Sequence, residues 1–425
     1  MEMVYQYMWK HRLIGEKATT DGRRVEVISP GRHNTDAGPD FYGARIRIGG
    51  EEWAGTVEVH VKASDWHRHG HESDPAYDNV ILHVVGINDA RIPDRRGGFI
   101  PQVVVSFPEP FIHMYSRLAE KISEVACADR LCSLPELTVT SWLETLAVER
   151  IQQKSRRIID TLTLVEGDWE RACFITFARA LGFSLNSEPF EMLARSVPLS
   201  VLAKHSDDIM QLEAILFGQA GMLDQSVNIF DEYYQSLCRE YGFLARKYGL
   251  RPMRRDLWKF SRTRPQNFPT RRIAILARAL HGGFSLLSRI LDRHCDGETA
   301  AELFAWKIEG YWETRFDFDR PASGLSPKLA DTATSLLVIN FIAPLLYAYG
   351  SWRGDVDMAE RGLDIWRDTD AENNKIIRTW KSCGINCDDA AQSQALIQLR
   401  KEYCDRNRCL DCRFGHALLR DAYQN

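Results

Sequence analysis

Residues 34–85, NTDAGPDFYGARIRIGGEEWAGTVEVHVKASDWHRHGHESDPAYDNVILHVV, gather Asp40, Glu58, His60, Lys62, Asp65, His67, His69, His71, Asp74 and Asp78. These are side chains that hold divalent cations or move protons. Carboxylates suit hard cations such as Mg or Mn, which are held by one or two acids with water and substrate phosphate completing the shell. Imidazoles suit Zn, Fe or Ni better than Mg. Along WAGTVEVHVKA the alternation sets Val57, Val59 and Val61 on one face of a strand and Glu58, His60 and Lys62 on the other. Asp40 opens the preceding strand after Gly38-Pro39, so a hairpin brings it toward Glu58. The expected chemistry is metal-assisted hydrolysis, in which an ion polarises a phosphoryl oxygen and lowers the pKa of a water that Lys62 or His60 orients.

The elements that must position these groups are legible over residues 1–110. MVYQYMWKHRLI carries apolar residues at helical spacing and ends before Gly15. RRVEVISPG, FYGARIRIGG and WAGTVEVHVKA alternate as strands, and GGEE joins the last two as a hairpin. NVILHVVG and PQVVVSF are dense in β-branched residues, as in strands covered on both faces. This segment reads as an α+β domain with a mixed sheet. From 111 to 380 strand signals give way to amphipathic helices with no fixed-period repeat, an all-α domain. A cysteine-rich helical segment, 381–425, closes the chain.

GPDF followed by VEVHVK resembles the PD-(D/E)XK nuclease superfamily, in which an Asp and an acid-x-Lys triplet sit on a β-hairpin beside a first helix. The resemblance implies a restriction-endonuclease-like fold, Asp40 and Glu58 as ligands to Mg or Mn, and the Val59 carbonyl as a third ligand. His60 stands where the superfamily has its lysine, and Lys62 follows on the same face. The chain also resembles, nearly throughout, an uncharacterised bacterial family of unknown function, in GPDF, GTVEVHVKASDWHRHGHESDPAYDNVILHVV, RPQNFPTRRIA and the terminal Cys run. The spaced histidines His67, His69 and His71 are secondary metal candidates, and His83, inside an apolar strand, reads as a core histidine.

At 44% apolar and 26% charged residues the chain is globular, and its net charge of −4 gives no overall attraction to nucleic acid. Residues 246–272, RKYGLRPMRRDLWKFSRTRPQNFPTRR, reverse the balance with ten Lys or Arg against one Asp. Arg254, Arg255, Lys259, Arg262, Arg264, Arg271 and Arg272 are the expected contacts to nucleic-acid phosphates, interleaved with rings. No secretory signal is visible, and SLLVINFIAPLLYAYG is broken by Asn340 and Pro344 short of the roughly 20 residues a span needs. A cytoplasmic address without a membrane partner is expected.

Five of ten cysteines, Cys383, Cys387, Cys404, Cys409 and Cys412, fall near the end of the chain. In a reducing compartment such clustering marks a metal more often than disulfides. Cys404, Cys409 and Cys412 with Cys383 or Cys387 would hold Zn or an iron–sulfur cluster. The leading expectation is a metal-dependent nuclease. Its alternatives are a non-catalytic nucleic-acid-binding or scaffold protein with a degenerate site, and a histidine-rich transition-metal hydrolase of small substrates.

Overall fold

The computed structural model describes residues 2–15, 17–95, 97–120, 124–224, 231–261 and 263–424. The chain forms an N-terminal mixed-sheet domain and a mostly helical region, in two compact units: residues 1–138 with 403–425, and residues 139–402. Composition alone marks the divisions at 110 and 381. The sheet unit extends further because α3 (Glu109–Glu120) packs with the C-terminal helix Arg413–Gln424, burying Phe111, Leu118, Leu418 and Leu419.

In the sheet unit, α1 (Glu2–Lys10) precedes β1 (Lys17–Ala18), β2 (Arg24–Ser29), β3 (Arg32–His33), β4 (Phe41–Ile48) and β5 (Glu51–Lys62). A crossover holding the short helix α2 (Asp65–Arg68) leads to β6 (Val80–Ile87) and β7 (Gln102–Val104). The sheet order is β1-β2-β4-β5-β6-β7, with β3 beside β4. β2, β4 and β5 are antiparallel neighbours, whereas β5, β6 and β7 run parallel. Gly49 and Gly50, both at positive φ (58° and 98°), make the two-residue turn from β4 to β5, a conformation only glycine adopts cheaply twice in succession.

β5 lies inside the sheet, and both of its faces are covered. Val57 and Val59 are fully buried on the face where Phe41, opposite Val57, meets the ring of Trp9 from α1 at 6.5 Å. Glu58 and His60, pointing the other way, are 5% and 1% exposed. Over that second face the crossover lays Trp66, whose ring lies 5.3 Å from His83, and a small core of Trp66, Val80, Ile92 and Ile100 seals it. Two polar groups thus sit where a sheet normally places apolar ones, the arrangement expected of a site rather than of a stabilising core.

The helical unit is built from segments of the expected kind. Asp168, Asp208 and Asp231 cap the helices Trp169–Leu181, Ile209–Gln219 and Glu232–Tyr248 through bonds to backbone N–H groups. EPFEMLARSVPLSVL breaks into Ser187–Ser196 and Leu199–Ala203 at Val197-Pro198. Among the described residues one helix, Asp331–Arg353, has the length and apolarity to cross a membrane, and it is 67% buried within the protein.

Candidate metal centre

Asp40 is held by its loop. The Asn34 amide donates to the carbonyls of Asp36, Ala37 and Pro39 at 3.1–3.2 Å, and Asn34 N–H donates to Asp40 O at 2.7 Å. Gly38 sits at φ 103°, where any L side chain is strained, and a Cβ there would also meet the Tyr42 hydroxyl. Asp40 Oδ1 accepts from Gln6 Nε2 of α1 at 2.9 Å and Oδ2 accepts from Val59 N–H at 3.0 Å. Asp40 N–H in turn donates to Glu58 Oε2 at 3.1 Å. The two acids are therefore neighbours across β4 and β5, each bonded to the other's strand.

Glu58 Oε1 points toward histidines. It lies 3.4 Å from His60 Nε2 and 3.3 Å from His71 Nε2, and His60 Nε2 is 3.1 Å from His69 Nδ1. Ligand atoms of His60, His69 and His71 all fall within 4.8 Å of one another. His71 is fixed from outside by stacking on Tyr77, with centroids 3.8 Å apart. His60 Nδ1 meets Nε2 of fully buried His83 at 2.9 Å, and Gln102 Nε2, anchored on Ala90 O at 3.1 Å, lies 3.4 Å from His83 Nδ1.

The electrostatics follow from burial. Asp40 and Glu58 are both pushed up from the ordinary carboxylate range, by loss of water first and, for Asp40, by the charge of Glu58 next. His60 and His83 are pushed down to about 3, by burial first and then by neighbouring imidazoles. His71 is lowered by burial. Burial thus leaves the imidazoles neutral and able to ligate a cation, whereas the carboxylates hold on to protons that a bound cation would displace.

The chain belongs to the family described as "Protein of unknown function (DUF2851)", whose model matches residues 2–375. No curated protein and no solved structure matches it.

The remaining expected residues of this family member scatter. Lys62 is exposed, and its charge acts on Asp89. His67 is exposed with Glu72 at 3.4 Å, and Asp65 holds the Lys62 N–H at 3.1 Å and Arg68 at 3.1 Å. In the basic segment Arg254, Arg255, Lys259 and Arg264 are exposed, Arg254 being paired with Asp256 at 3.0 Å. Arg262 lies outside the described residues. Arg271 and Arg272 require correction, because they are 1% and 2% exposed and no phosphate backbone reaches them. Arg271 donates to the carbonyls of Trp312, Arg315 (3.2 Å) and Ser326 (2.7 Å). Arg272 lies 4.0 Å from the centre of the Phe183 ring and donates to Asn267 at 2.6 Å. Trp258 and Phe268 are likewise buried, with Trp258 Nε1 donating to Ala220 O at 2.8 Å.

Cys383 and Cys387 belong to the helical unit, whereas Cys404, Cys409 and Cys412 belong to the sheet unit. Buried Cys412 lies near Tyr7, whose hydroxyl meets His416 Nδ1 at 3.0 Å. The residues that sequence reasoning missed are Gln6, Tyr77, Gln102 and the outward role of His83. His83 pairs in register with Glu58 across parallel strands, and pairing is what a single strand's pattern does not print.

Proposed function

We propose that the sheet unit is a divalent-metal-dependent nuclease that hydrolyses phosphodiester bonds. The observation that carries the reading is the meeting of Asp40 and Glu58 on adjacent strands beside three converging histidines. The order helix, three antiparallel strands, crossover and parallel strand supports the likeness to the PD-(D/E)XK fold. An ion bound there would polarise the scissile phosphoryl group and acidify its water. Glu58 and the histidines would hold it, and Asp40, clamped by Gln6 and Val59 N–H, would keep Glu58 in place and present charge to the entering group. His60, standing at the superfamily's lysine position, would turn Nε2 to the ion while His83 grips its other nitrogen. The exposed Arg254, Arg255, Lys259 and Arg264 support a nucleic-acid partner.

The test is cleavage of plasmid, single-stranded DNA and RNA with Mg, Mn or Zn present. Cleavage should fall at least about 100-fold in Asp40→Ala and Glu58→Ala, the scale of losing a catalytic electrostatic contact. Binding with no cleavage in any of the metals sinks the reading in favour of a non-catalytic nucleic-acid-binding protein. The histidine convergence favours a second reading, a hydrolase of small substrates. Turnover of bis(p-nitrophenyl) phosphate without any action on nucleic acid would select it.

A further inference from the structure

The acid pair and the histidines make different demands on an ion. A hard cation such as Mg wants near-octahedral oxygen coordination. Here each oxygen of Asp40 is held by a donor, Gln6 or Val59 N–H, and Glu58 Oε2 is held by Asp40 N–H. The carboxylate oxygen that faces imidazole nitrogens is Glu58 Oε1. His71 Nε2 is buried and has no hydrogen-bond partner although Glu58 Oε1 is 3.3 Å away. A buried ring nitrogen left in that state is costly unless it has a different task. Ligands at 2.0–2.1 Å from a tetrahedral ion stand about 3.3 Å from one another. The separations Glu58–His71 (3.3 Å), Glu58–His60 (3.4 Å) and His60–His69 (3.1 Å) match three of the six such edges in length, and the ligand atoms of His60, His69 and His71 lie within 4.8 Å of one another.

We infer that Glu58, His60, His69 and His71 form a binding site for a borderline transition cation of the zinc class, with His83 and Gln102 as positioning residues behind His60. This deepens the hydrolase reading and rests on it only for what the ion is used for. Zinc-class ions prefer the nitrogen-rich set that Mg does not. His83 fixes which nitrogen of His60 faces the site, the office that outer hydrogen-bond partners perform for histidine ligands.

The experiment titrates Co2+, a spectroscopic stand-in for zinc, into full-length protein stripped with chelator, and then competes it with Zn2+ or Mg2+. The expected result is one site with visible ligand-field bands free of thiolate charge transfer, emptied by one equivalent of Zn2+ and untouched by millimolar Mg2+. His71→Ala and Glu58→Gln, each checked for the wild-type circular dichroism and melt, should weaken Co2+ binding by about 100-fold, and His83→Gln by roughly 10–100-fold. Glu58→Gln keeps side-chain volume and decides the matter should His71→Ala fail to fold. The inference is overturned if Mg2+ displaces Co2+ at equal concentration, if both ligand variants keep the wild-type spectrum, or if the signal carries thiolate bands and disappears in Cys409→Ser instead. An intact cobalt site in a protein that cleaves nothing sinks the hydrolase reading alone. Magnesium-supported cleavage with no cobalt site sinks this inference alone.

Discussion

At the scale of single residues, the centre concentrates groups whose ordinary charge burial opposes. Glu58 and Asp40 are raised by desolvation, so in the metal-free protein their contribution is present below their unfolded values near 4 and is lost as pH rises through the higher folded values. His60 and His83 are depressed, so what they contribute is present above about 6.5 and is lost as pH falls toward 3. The two trends oppose, and metal-free stability should peak in mildly acidic solution. Glu58→Gln removes one cause of the alkaline decline while preserving shape. Its stability relative to wild type should therefore improve between pH 5 and pH 9, by on the order of 2–4 kcal/mol. Chemical denaturation of chelator-treated proteins at both values checks this, and a difference that stays constant with pH would remove the claim that Glu58 is desolvated. Adding the bound cation should abolish the contrast, because the carboxylate then has a partner.

At the scale of elements, legibility depended on whether a pattern was local. The alternation of β5 announced that Glu58 and His60 share a face, and the turn chemistry of Gly49-Gly50 announced the hairpin, since both are set by neighbours in sequence. The parallel pairing of β5 with β6 and the folding of the crossover onto that face depend on long-range packing, so His83, Tyr77 and Gln102 looked like ordinary strand and loop residues. Arg271 and Arg272 were misplaced for a related reason. Charge is visible in sequence but burial is not, and on the helix Pro269–Leu280 the face carrying Arg271 turns inward to clamp carbonyls of residues 312–326. Arg271→Met should then destabilise the protein by about 3 kcal/mol, because one buried and two part-buried carbonyls lose their donor. Thermal or urea unfolding measures that loss, and nucleic-acid affinity of the folded fraction should not change. A variant that binds more weakly at unaltered stability would restore Arg271 to the surface contacts.

At the scale of the whole molecule, a chain with net charge −4 attracts polyanions only where its charges are unevenly placed. The segment 246–272 supplies that unevenness, but its exposed and uncommitted share is smaller than its composition suggests. Arg254 is occupied by Asp256, Arg271 and Arg272 are interior, and among the described residues Arg255, Lys259 and Arg264 face solvent, as do Arg246, Lys247 and Arg251 at the segment's start. Counterion release makes the size of that share measurable, since each phosphate contact adds about one unit to the slope of log affinity against log salt. The triple variant Arg255→Ala, Lys259→Ala, Arg264→Ala should lower the slope for a fluorescent single-stranded oligonucleotide by about 2 units between roughly 50 and 200 mM salt, because a contact to a single strand counts for about 0.7, and should do so equally for unrelated sequences. Replacing Arg254 should matter less than replacing any one of the three, because its charge is already answered. Anisotropy titrations at several salt concentrations supply the slopes. An unaltered slope in the triple variant would move the nucleic-acid surface away from this segment, and the histidine centre would then have to be tested on small phosphodiesters before polymers.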